Sequence, residues 1–97
     1  MDTIKIKDLN IGTSTNMDGC ALKLVLTPYF EIENPVYVSF RETTPMSSSF
    51  FNSSFGELID NYGYEKFKKI VVVSDITKSH FELILKYISW HKEMVVA

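Results

Sequence analysis

The stretch Ser47-Ser48-Ser49-Phe50-Phe51-Asn52-Ser53-Ser54-Phe55-Gly56-Glu57-Leu58-Ile59-Asp60-Asn61-Tyr62-Gly63 decides how the rest of the chain is read. Three consecutive serines offer hydroxyls to the free amides of a helix start. Phe51, Phe55, Leu58 and Tyr62 follow at i, i+4, i+7 and i+11, within about 60° of one another on a helical wheel. Gly63 stands where a left-handed stop is expected. The pattern predicts a helix from Ser49 to Tyr62 whose four-residue apolar line faces a sheet.

That sheet is sought on either side. Upstream, Asn34-Pro35 marks a turn and Val36-Tyr37-Val38-Ser39-Phe40 reads as a β-branched and aromatic strand. Downstream, Tyr64 to Lys69 is a short amphipathic connection with Glu65 and Lys69 spaced as an i, i+4 pair. Ile70-Val71-Val72-Val73 has no polar member, which predicts a strand covered on both faces. The two strands are expected to be parallel neighbours joined through the helix.

Further out, Thr3 to Lys7 alternates as a half-buried strand, which Leu9 and Ile11 either continue or turn away from. Gly12 to Gly19 is polar and turn-rich, with Asn16 and Asp18 as candidate caps. Cys20 to Ile32 fits a helical face through Ala21, Leu24 and Val25, and fits alternation through Leu22, Leu24 and Leu26. The reading leans to a helix kinked or restarted at Pro28. Asp75 or Thr77 can cap a last helix to about Lys92. The alternating order predicts an α/β fold, a mostly parallel or mixed sheet with helices packed on it.

The 97 residues suit one domain spanning 1–97, and 45% hydrophobic content is enough for a core rather than a disordered chain. Net charge is -2, which supplies no electrostatic footprint for nucleic acid or an anionic membrane. No apolar run approaches the ~20 residues of a membrane span. Met1-Asp2-Thr3-Ile4-Lys5 does not open a secretory leader. Cys20 is the only cysteine, which excludes an internal disulfide and suits a cytoplasmic setting.

The serine-containing helix start, the two phenylalanines, Gly56-Glu57-Leu58-Ile59, Tyr62-Gly63 and Phe67-Lys68-Lys69 together resemble the bacterial STAS-like domain of unknown function. Val36 to Phe40 and Thr15-Asn16-Met17-Asp18-Gly19 sit at the expected distances upstream, so the resemblance covers roughly Gly12 to Ser74. It implies a small STAS-like domain, distantly related to anti-sigma-factor antagonists. Those relatives switch partners when a GHKL-type kinase phosphorylates a serine at a helix start. By position Ser48 matches that serine, making it the candidate phosphorylation site. Ser47 replaces the acid of the Asp-Ser-Ser-Gly pattern and Phe50 its glycine. Two other departures are the missing arginine near Thr15 and Asn16, and Ser39 where an acid is usual.

The bland reading of the serine run is capping, which needs one hydroxyl. His80 and His91 return to nearly one helical face but stand about 16 Å apart along the axis, too far for a shared metal ion. Cys20 has no base paired with it by motif and reads as a small hydrophobe. No phosphate loop, paired-carboxylate signature or nucleophile elbow is present. No catalytic residue, metal or cofactor is therefore expected.

The last helix carries two apolar stripes. Phe81, Ile84, Leu85 and Ile88 form one, assigned to the core. Leu83, Tyr87, Trp90 and Met94 form the other, a candidate homodimer or partner contact, since Tyr and Trp suit partly wet interfaces. The alternative is that the chain's own tail or first strand covers that face. The functional expectation is a non-enzymatic regulatory domain that binds protein, with a GHKL-type ATPase as the partner class. The alternative is a phage or mobile-element inhibitor that blocks an enzyme by surface binding.

Overall fold

The computed structural model describes residues 2–43, 46–79 and 81–86. Strands β1 (Asp2–Lys5), β2 (Val36–Ser39) and β3 (Val71–Ser74) form a parallel sheet in the order β1-β2-β3. Ile4, Val38 and Val73 lie in register across it, as do Thr3, Tyr37 and Val72 on the opposite face. The expected pairing of the second and third strands as parallel neighbours is present.

The first strand does not continue through Leu9. It turns into a 3₁₀ turn at Ile6–Leu9 that buries Ile6 and ends at Asn10 in the left-handed region. The ambiguous stretch that follows is one helix, α1 (Asn16–Glu31). Its cap is Thr15 rather than Asn16 or Asp18. The Thr15 hydroxyl accepts the Asp18 N–H while the Asp18 carboxylate reaches back to the Thr15 N–H, a reciprocal capping box. Pro28 neither breaks nor restarts the helix. A proline deletes only the bond its own N–H would make, and the Pro28 carbonyl still accepts the Ile32 N–H.

The decisive stretch folds as predicted but starts one residue earlier. α2 (Ser48–Phe51) runs through a π-helical turn at Asn52–Gly56 into α3 (Glu57–Tyr62) as one continuous helix. Phe51, Phe55 and Leu58 are buried and Tyr62 is half-buried. Phe50 and Ile59 are buried as well, where this helix packs along α1 and into the core shared with β2. Gly63 ends it at φ 90°, ψ 154°, a backbone state that side chains rarely adopt. The presumed connection after it is a helix, α4 (Tyr64–Ile70), with Glu65 paired to Lys68 rather than to Lys69.

The core joins Leu22, Leu26 and Phe30 of α1 to Val36 and Val38 of β2 and to the phenylalanines of the long helix. Phe30 stacks on Tyr62 at 4.9 Å, and Phe67 meets Phe55 edge-on at 5.2 Å. The expectation that the valine run is covered on both faces needs correction. Val71 is buried, but Val72 is exposed beside the exposed Tyr37. α1 and the long helix touch each other along their length, so both lie on one sheet face. Among the described residues, neither covers the row that holds Val72.

After β3, residues 78–79 and 81–86 are helical, and the Phe81 N–H donates to the Thr77 carbonyl. Of the stripe assigned to the core, Ile84 is fully buried while Phe81 and Leu85 are exposed. They line a groove with Tyr64, Phe67 and Val71 to Val73. Ile88 lies outside the described residues.

Candidate functional site

The carboxyl edge of a parallel sheet gathers the loops that start its helices. Here that edge holds Lys5, Ser39 and Ser74, in register with one another. Two helix starts meet beside it. The Ser47 N–H donates to the Thr13 carbonyl at 3.0 Å, and the Ser47 hydroxyl donates to the Ser14 carbonyl at 2.8 Å. The Ser53 hydroxyl donates to Asn16 Oδ1 at 3.1 Å. The α1 loop and the long helix are thus stitched together by serine hydroxyls and backbone. Thr13 is buried at the centre of the seam.

Asp18 organises the loop from its other end. Its carboxylate accepts the N–H groups of Gly12, Ser14 and Thr15. The hydrogen bond with the Thr15 side chain, helped by the three amides, holds its pKa below the usual carboxylate value against the opposing effect of desolvation.

Within the serine run the roles separate. Ser47 is the cap, its hydroxyl accepting the Phe50 N–H at 3.2 Å. Ser48 is the first helical residue and is exposed. Ser49 is half-buried. The candidate phosphorylation residue therefore stands at the positive end of a helix, with the capping duty carried by its neighbour.

Two further polar links mark the same edge. Ser39, fully buried, donates to Asp75 at 2.8 Å, which ties the ends of β2 and β3 together. Lys7 pairs with Glu42 at 2.8 Å, and that hydrogen bond holds the Glu42 carboxyl below its ordinary pKa. Among the described residues no group of three or more His, Cys, Asp or Glu side chains is placed to hold a metal ion. Cys20 is exposed on α1 rather than tucked into the core as a small hydrophobe. Among the described residues no helix is long and apolar enough to cross a membrane.

The second candidate surface is only partly in view. Leu83 is half-buried against the core, while Tyr87, Trp90 and Met94 lie outside the described residues, as do His80 and His91. Sequence reasoning missed a different surface. The outward face of α1 exposes Met17 and Leu24, and Ile32 just past its end is exposed as well. The available signal was a helix apolar around much of its circumference, which the competing strand pattern obscured.

No curated protein and no solved structure matches the chain at a significant level. The sequence profile of the STAS-like domain of unknown function matches residues 22–81, from the first turns of α1 through the start of the last helical segment. That span is more than half of the chain and contains most of α1, the long helix, α4 and two of the three strands, so the chain belongs to the STAS-like domain family.

Proposed function

We propose that this chain is a non-enzymatic regulatory domain that works by binding another protein, with Ser48 as its switch. The observation that carries the reading is the division of labour at the helix start. Ser47 satisfies the helix amide and the neighbouring loop, which leaves the exposed Ser48 hydroxyl free to be modified without unfolding the cap. A phosphate there adds about -1.5 to -2 charges beside the seam between the two helix starts. It sits favourably on the helix dipole, so the fold tolerates it, while the surface offered to a partner changes sign locally. A GHKL-type ATPase with kinase activity is the partner class that fits a phosphoswitch of this kind.

The test is incubation with the cognate kinase and ATP, followed by mass spectrometry. Phosphate is expected on Ser48 and absent from the Ser48→Ala chain. Ser48→Asp is expected to change partner binding while the melting temperature stays within a few degrees of wild type. Finding no phosphate on Ser47, Ser48 or Ser49 removes the switch.

A further inference from the structure

We infer that the open edge of β3 takes a fourth parallel strand, supplied by the chain's own Met94-Val95-Val96-Ala97. Ser39 and Ser74 are in register, and the Ser74 carbonyl accepts the Phe40 N–H at 3.0 Å. In a parallel ladder one residue turns both its backbone groups to one neighbour, and the next residue turns both to the other side. Ser74 and Val72 therefore face β2, while Val73 directs its N–H and carbonyl away from it. Among the described residues no strand stands on that side to take them.

A groove follows this edge. Val71, Val72 and Val73 all line it. Their side chains alternate between the two sheet faces, so the groove runs along the strand's edge rather than over one face. Phe67 of α4 and the exposed Phe81 and Leu85 wall it with apolar surface. Lys68, the charged residue of the lining, is engaged by Glu65 at 3.2 Å. An unpaired backbone between uncharged walls suits an extended apolar segment, whose main chain completes the ladder while its side chains fill the groove.

Where the chain goes next identifies the occupant. Leu85, on the groove wall, precedes residues 87–97 by two positions. Residues 87–93 span up to about 24 Å when extended, against about 13 Å for the length of β3, which is enough to return along the edge. Met94-Val95-Val96-Ala97 is the run of that stretch that is uncharged and carries adjacent β-branched residues. Connectivity sets the direction. β1 leads through α1 to β2, and β2 through the long helix to β3, each next strand lying parallel on the outer side. Helical residues again follow β3, and a right-handed crossover of the same kind delivers the next strand to its open edge. A second copy is outcompeted there, because a tethered strand acts at an effective concentration of about millimolar.

Amide exchange and NOE contacts of the full chain test this at two concentrations about tenfold apart. The Val73 N–H is expected to exchange as slowly as the Val72 N–H at both concentrations. Backbone protons of residues 94–97 are expected to contact those of Val71 to Val73. Val95→Pro and Val96→Pro together withdraw the donors of the added strand. They should speed Val73 exchange about tenfold or more, while the Val72 N–H, bonded to β2, stays slow. The wild-type contacts decide by themselves should the double variant not fold. A Val73 N–H that exchanges freely in the wild type overturns the added strand. Protection that grows with concentration also overturns it and assigns the edge to a second copy. Protection that persists in the folded double-proline chain, or a wild type without contacts from residues 94–97, overturns the occupant.

Discussion

α1 and the helix from Ser48 to Tyr62 lie side by side on one face of the sheet, yet they bury their apolar residues in opposite ways. The long helix is enclosed on nearly all sides. Phe50, Phe51, Ser54, Phe55, Leu58 and Ile59 are all buried. Its one internal irregularity, the π turn, is satisfied from within, since the Ser54 hydroxyl donates to the Phe50 carbonyl at 2.7 Å. α1 is also apolar around much of its circumference, but only Gly19, Leu22, Leu26 and Phe30 are buried. The difference comes from position rather than composition. The long helix packs along α1 and into the core shared with β2, whereas α1 has a neighbour on its inner side only. Apolar content alone does not say which side of a helix is core.

Matched truncations put that difference to its hardest test. Phe55→Ala removes a ring 2% exposed that packs on Phe40, Phe51 and Phe67, and should cost about 3–5 kcal/mol in urea unfolding. Leu24→Ala removes a side chain already in water and should stay within about 0.5 kcal/mol. Similar losses for the two variants would break the contrast.

The place where the two helices cross sharpens it further. A Cβ at Gly19 would lie 2.5 Å from the Phe50 carbonyl oxygen and 2.7 Å from Ser53 Cβ. Gly→Ala inside a helix ordinarily gains about 1 kcal/mol. Here overpacking against backbone costs about 1–3 kcal/mol, and the carbonyl cannot swing aside as a side chain can. Gly19→Ala should therefore lower the melting temperature despite its better propensity. A raised melting temperature would show that the two helices can separate at little cost.

These same contacts explain what could be read from the sequence. The long helix was legible because Phe51, Phe55, Leu58 and Tyr62 repeat at helical spacing between a serine run and Gly63. The parallel pairing of Val36–Ser39 with Val71–Ser74 followed from the strand-helix-strand order. α1 was ambiguous because apolar residues on two sides of a helix also satisfy alternation. The π turn was invisible, since the helical spacing of the apolar residues does not mark where it falls. The exposure of Val72 was hidden for a related reason: a valine run reads the same whether one sheet face is covered or two. At the candidate site, the serine run identified the helix start, but the sharing of roles between Ser47 and Ser48 depends on the Ser14 carbonyl thirty-three residues away.

The smallest expected effect separates the two helix starts by pH. The long helix is capped by the neutral Ser47 hydroxyl, α1 by Thr15 together with the Asp18 carboxylate. Because folding lowers the Asp18 pKa from its ordinary 3.8, the unfolded chain binds that proton more readily. The stabilisation is thus fully present above the unfolded value and is lost as pH falls through the folded one. Protonation takes charge from an acceptor of three backbone amides, and the Gly12–Thr15 loop should loosen while the Ser47 cap is unaffected. Amide exchange followed from pH 5 down to about pH 3 should show faster opening at Gly12, Ser14 and Thr15 than at Phe50. In Asp18→Asn the loop should already be loosened at pH 5, and its further acid response should be reduced. An unchanged acid response in that variant would mean that another carboxylate governs the loop.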